Sequence, residues 1–134
     1  MAHRTNEHGH PIGSPLPNCQ PPPPPPKTVL QGHFFRIEPI DTNTHVEELY
    51  IAISLDEEAR SWTYLAYGPF VSIEDYRAWI EATCLGDDPI FFAIINGESS
   101  KAVGVASYLN IVPANGSIEI GHIHYSPRRQ RVHR

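Results

Sequence analysis

The 134-residue sequence has two cysteines, one methionine and no long apolar run. Each shortage excludes something. Cys19 and Cys84 cannot make a disulfide framework, so the chain must hold together by burial, and a reducing compartment fits best. No stretch approaches the roughly 18–20 apolar residues of a membrane-spanning helix, and the first 30 residues lack the apolar centre of a secretory signal. Positive charge is short as well: 10 Lys and Arg stand against 15 Asp and Glu, a net charge of −5. That balance argues against a general nucleic-acid or membrane-surface binder. The expectation is a cytoplasmic protein, a nuclear location being open, with no nucleic-acid and no membrane partner.

Proline, by contrast, is plentiful and lopsided. Nine of the 14 prolines fall in residues 1–26, six of them in a row from Pro21 to Pro26. Proline lacks a backbone donor and has a fixed φ, so the run favours an extended polyproline II segment. Residues 1–31 are therefore expected as a disordered, proline-rich arm. Its Pro21–Pro26 run offers a ligand to an SH3- or WW-type domain, which would make the molecule a non-enzymatic interaction protein on a remnant scaffold. At the other end, Arg128, Arg129, Arg131 and Arg134 put four of the ten cations into the last seven positions. Such a tail is either solvated or in contact with phosphates.

The middle of the chain has the periodicities of a folded domain. Phe34 to Ile40 reads as a strand with Pro39 at its end. Asp41 or Thr42 offers an N-cap, followed by Val46, Leu49, Tyr50 and Ile53 on one helical face, with Glu47 and Glu48 expected near the N-terminal turn. An aromatic-rich loop, Arg60 to Phe70, ends in a Gly-Pro break. Ser72 then opens a second helix, with Asp75 in the position of a loose capping box, Tyr76, Trp79, Ile80 and Thr83 on one face, and Gly86 as the stop. Three strands follow, Ile90–Ile95, Lys101–Val112 and Ser117–Tyr125, separated by the turn signals Asn96-Gly97 and Asn115-Gly116. Ile90 to Ile95 is apolar on both parities, a pattern that asks for burial on both faces, but the two helices cover only one, so the second face is expected to lack cover. The fold class is α+β, in the order β-α-α-β-β-β, with an antiparallel sheet and two helices on one face.

That order resembles the N-terminal half of the GNAT superfamily of N-acetyltransferases. Phe35-Arg36-Ile37-Glu38-Pro39-Ile40 looks like the family's opening strand, and Trp62-Thr63-Tyr64-Leu65 with Tyr67-Gly68-Pro69-Phe70 like the loop of one subgroup. Ala102 to Tyr108 and Ser117 to Ile123 resemble its third and fourth strands. The resemblance implies acetyl-CoA as co-substrate and a primary amine, small molecule or peptide, as acceptor. It implies that the fourth strand, through His122, Ile123, His124 and Tyr125, holds the pantetheine arm and thioester. Gln130 and Arg131 would begin the pyrophosphate loop, although Val132 and His133 replace the small residues that let a backbone close on phosphate. The expected organisation is a partial domain over residues 32–127 and a basic, non-family tail over 128–134, truncated at the pyrophosphate loop and inactive.

Glu119 is the family-implied general base, since only a deprotonated amine attacks a thioester; the alternative is a charge on a strand face. Trp62, Tyr64 and Tyr67 would line the acceptor pocket or cover the sheet. His122 and His124, two apart on a strand, match the opening of a cupin-type metal motif. The glutamate that motif needs next is absent between Tyr125 and Gln130, so no metal is expected.

Overall fold

Asp41 begins the first helix because its backbone is extended and its carboxylate turns onto the free amides of Asn43 and Thr44, at 2.7 and 3.3 Å. Helix α1 (Thr42–Ile53) then buries His45, Val46, Leu49, Ala52 and Ile53. Ser72 caps helix α2 (Ile73–Thr83) in the same way, accepting from the Asp75 amide at 3.1 Å, and Tyr76 and Ile80 form its buried positions. The computed structural model describes residues 4–127.

Strands β1 (Arg4–Thr5) and β2 (Pro11–Ile12) make a small hairpin. The main sheet runs in the order β3 (Leu30–Gln31), β4 (Phe35–Pro39), β5 (Ile90–Asn96), β6 (Ala102–Val112) and β7 (Ser117–Tyr125), and every neighbouring pair is antiparallel. Val46 and Leu49 of α1 and Tyr76 and Ile80 of α2 share one core with Phe91, Ala93, Ile95 and Val105 of the sheet. Each such side chain, fully buried, contributes about 1.5–3 kcal/mol, so this face holds the fold together. Ile90, Phe92 and Ile94, on the opposite parity of β5, are buried as well. The second face of the central strand, expected to lack cover, is thus buried, and Pro24, Pro25 and Lys27 of the arm line a hollow with Ile90 on it.

Other expectations change. The first turn of α1 contains no acidic residue. Glu48 instead accepts from the Ala102 amide at 2.7 Å and ties α1 to β6. The macrodipole fades beyond the first turn, so a specific amide is the better partner. Helix α2 ends with Cys84 as its C-cap, two residues short of Gly86.

The arm also differs from its expectation of an unstructured segment. Leu30 and Gln31 pair with Ile37 and Arg36, so the sheet extends across the boundary placed at residue 31. Pro22, Pro23 and Pro25 line an apolar hollow with Ile111, Pro113 and Ile118. Lys27 anchors the end of the run, its Nζ 3.3 Å from both Asp87 and the Leu85 carbonyl. A polyproline segment has no donors to offer a sheet ladder, but its rings are apolar and settle on exposed isoleucines. An SH3- or WW-type partner gripping that side would have to displace these contacts. Among the described residues no helix is long and apolar enough to cross a membrane.

Candidate functional site

The register between β6 and β7 breaks twice, and the two breaks shape the site. Leu109 faces Glu119 and Val112 faces Ser117, so Asn110 and Ile111 together oppose one residue. Asn110 takes a φ of +48°, and the displaced amides of Asn110 and Ile111 donate to the Asp88 carboxylate at 3.1 and 3.0 Å. Farther on, Val105 faces His124 and Ser107 faces Gly121, so His122 and Ile123 together oppose Ala106. His122 has a φ of +50°. Asn and His tolerate the left-handed region better than most residues, and a bulge there takes the extra residue out of the ladder.

The second bulge decides which side chains meet. Ser107 pairs with Phe91 of the helix-covered face, so Gly121 and, two residues back, Glu119 lie on that face. Strict alternation from Glu119 would send His124 to the reverse face. The extra residue restores it, and His124, opposite core Val105, faces the helices.

His124 is 4% exposed and stacked on Trp62, ring centroids 4.1 Å apart and 30° from parallel. Its Nε2 lies 2.7 Å from Ser61 Oγ. Ser61 in turn donates from Oγ to Asp56 Oδ2 at 2.6 Å and from its amide to the same oxygen at 2.9 Å. The Ser61 hydroxyl, then its amide, holds the Asp56 carboxyl below the usual carboxylate range, and burial opposes them. Burial pushes the His124 imidazole below its ordinary value, and the Asp56 charge pulls the other way. Asp56, Arg60, Ser61 and Pro127 line an open pocket beside this chain of bonds.

The other predicted residues are dispersed around this centre. His122 approaches the Tyr67 hydroxyl with Nδ1 at 3.4 Å and touches the ring of Phe91. Tyr67 also stacks on Trp79, 4.4 Å between centroids, and burial pushes its phenol up to about 12. Trp62 is 7% exposed and belongs to the core, whereas Tyr64 is 98% exposed. The three aromatics expected to act together thus split, with Trp62 and Tyr67 packed and Tyr64 in solvent. Glu119 is exposed on β7, and its Oε2 accepts from Asn110 Nδ2 at 2.5 Å. Ile123 and Tyr125 are on the exposed side of the same strand. Gln130, Arg131 and the rest of the basic tail lie outside the described residues. Among the described residues no group of three or more His, Cys, Asp or Glu side chains is placed to hold a metal ion. The Cys84 thiol is pushed up to about 12 by burial, which leaves it a core side chain and no nucleophile.

Asp56 and Ser61 escaped the sequence reading. They belong to no motif, and only the loop's return against β7 gives them a partner.

The chain is similar to the solved structure of a GCN5-related N-acetyltransferase from Brucella melitensis. Identity is 34% and the TM-score 0.80, over 84% of this chain and 51% of that one. An acetyltransferase of the GNAT family from Chromobacterium violaceum matches at 27% identity and a TM-score of 0.79, over 92% of this chain and 62% of that one. The latter match leaves fewer residues unpaired than the proline-rich arm contains, so part of that arm has a structural counterpart. A Bacillus anthracis GNAT-family acetyltransferase, at 18% identity and a TM-score of 0.56 over 75% of this chain and 54% of that one, shares the fold alone. No family model and no curated protein matches the chain. The fold is GNAT-like, and the chain spans between about half and two thirds of the length of these structures.

Proposed function

We propose that this chain carries the thioester and acceptor side of an acetyl-CoA-dependent N-acetyltransferase acting on a primary amine. The carrying observation is the bulged strand β7. At His122 and Ile123 two residues oppose one, and a bulge frees backbone groups that a regular ladder would consume. Those groups suit the amides of a pantetheine arm. Glu119 stands on the helix-covered face of the same strand, exposed, where a carboxylate draws in an ammonium. A free amine beside a thioester carbonyl attacks it directly. The C–N bond forms, the C–S bond breaks, and the CoA thiolate leaves with the proton lost from nitrogen. The strand contributes by orientation, which converts a bimolecular collision into an intramolecular step.

Anchorage of the pyrophosphate would fall to the residues after Pro127, with Gln130 and Arg131 first in line. The sequence there offers few of the small residues an anion cradle uses, so acetyl-CoA binding by this chain is expected to be weak. Titration of the nitrogen-15-labelled chain with acetyl-CoA tests the proposal. Amide shifts should concentrate between residues 120 and 125 and saturate only at high ligand. A titration that moves no β7 amide would overturn it.

A further inference from the structure

A hydroxyl has one proton to give. Ser61 Oγ sits 2.6 Å from an Asp56 oxygen, and an ionised carboxylate only accepts, so the serine proton is committed there. Ser61 Oγ can therefore only accept from His124 Nε2, at 2.7 Å. The neutral imidazole is held as the Nε2–H tautomer, which puts its lone pair on Nδ1. Among the described residues Nδ1 has no hydrogen-bond partner. Trp62 covers a face of the ring, and Ser61 takes the edge that carries Nε2.

We propose that His124 is the proton acceptor for the amine, with Ser61 and Asp56 as positioning residues that fix its tautomer and balance the imidazolium charge. This inference rests on the acetyl-transfer reading above and divides the labour along β7. Glu119, exposed and screened by water, attracts the ammonium; His124, enclosed, takes its proton directly or through one water. The ammonium R–NH₃⁺ gives one proton to Nδ1 and becomes R–NH₂. Its lone pair forms the C–N bond at the thioester carbonyl, and collapse of the tetrahedral intermediate breaks the C–S bond. The second proton lost from nitrogen neutralises the departing thiolate, and the imidazolium releases its proton to water.

Burial keeps the resting ring uncharged and able to accept. Among the described residues, the loop presents Asp56 and Arg60, which line the pocket beside the Ser61 contact; β7 presents His122 with its Tyr67 partner; β6 presents Val105, which does not titrate.

The test uses the whole chain with acetyl-CoA at high concentration, spermidine and tyramine as acceptors, and thiol release read from pH 5 to 9. Wild type should show an acid limb. His124→Gln should lose that limb and about 10²-fold in kcat/KM at neutral pH. Asp56→Asn should move the limb to lower pH, because the charge that stabilises the imidazolium is gone. Ser61→Ala should lower kcat while leaving KM in place. The last two substitutions leave the core volume nearly untouched, so they report even where His124→Gln folds poorly. A His124→Gln profile that overlays wild type overturns the inference and leaves acetyl transfer standing. Absence of turnover by wild type overturns both and leaves the inactive chain that the sequence led us to expect. Nitrogen-15 spectra of the imidazole decide independently of rate: an Nδ1–H tautomer, or a His124 titration that Asp56→Asn leaves unmoved, also overturns it.

Discussion

Two histidines are buried among the described residues, His45 on α1 and His124 on β7, and they differ in how fully they are bonded. His45, on α1, uses both nitrogens: Nδ1 accepts from the Asp41 amide at 2.9 Å and Nε2 meets Glu38 at 2.8 Å. Glu38 also takes Arg36 at 2.9 Å, and those hydrogen bonds, that of Arg36 first, lower its carboxyl. His124 is as deeply buried, yet it uses one nitrogen on Ser61 and leaves the other with no described partner. A saturated polar group is architecture, because any change breaks bonds already made. A group with an unused lone pair keeps capacity for a proton.

The largest expected effect falls on the saturated side. His45→Ala removes the partner of Glu38 and strips the Asp41 amide, and should cost about 2–4 kcal/mol in urea unfolding. His124→Gln should cost no more than about 1–2 kcal/mol by the same measurement, since one bond is at stake. If the two losses were equal, the contrast between the histidines would collapse.

Next in size is the substrate-facing carboxylate. Glu119→Gln should raise KM for a cationic amine several-fold, as an exposed ion pair is worth up to about 1 kcal/mol, with little change in kcat. An effect confined to kcat would move the proton-accepting role back to Glu119.

Acid titration sharpens the comparison further. His124 has a folded value below its ordinary 6.5, so its contribution is complete above that pH and is lost as pH falls through the folded value. Glu38 and Asp56 are likewise depressed from 4.5 and 3.8, and their contributions fade only below those values. Thermal melts should therefore soften in two steps, one beginning below about pH 6.5 and one below about pH 4.5. His124→Gln should erase the first step and keep the second. The smallest effect belongs to Tyr67→Phe. Its 3.4 Å approach to His122 is long, and its loss should shift stability by under about 1 kcal/mol.

Much of the framework could be read from residue order. Asp41 and Ser72 cap the helices, Gly116 turns with φ +61° between β6 and β7, and Gly104 lies where an added Cβ would sit 2.7 Å from the His124 carbonyl. These are local demands, and local chemistry announces them. Both parities of Ile90–Ile95 announced a strand that needs cover on two sides, but not the cover that the second face receives. The arm was less legible, because composition records a lack of donors and not the isoleucines against which prolines settle.

The candidate site was the least legible part, for a reason that can be stated in one strand. Residue types and the period of two place Glu119 on a β7 face and His122 and His124 together on the other. Local physics determines no more than that. Whether an extra residue is inserted into a ladder depends on the partner strand: Val105 and Ser107 must stay in register with β5 while β7 continues to Tyr125. The mismatch is absorbed at His122, and that bulge turns His124 from the reverse face toward Ser61 and Asp56, more than sixty residues away in the chain. The helices, caps and strands follow from neighbours in sequence. The meeting of an imidazole, a hydroxyl and a carboxylate follows from strand pairing and loop return, which only tertiary contacts decide.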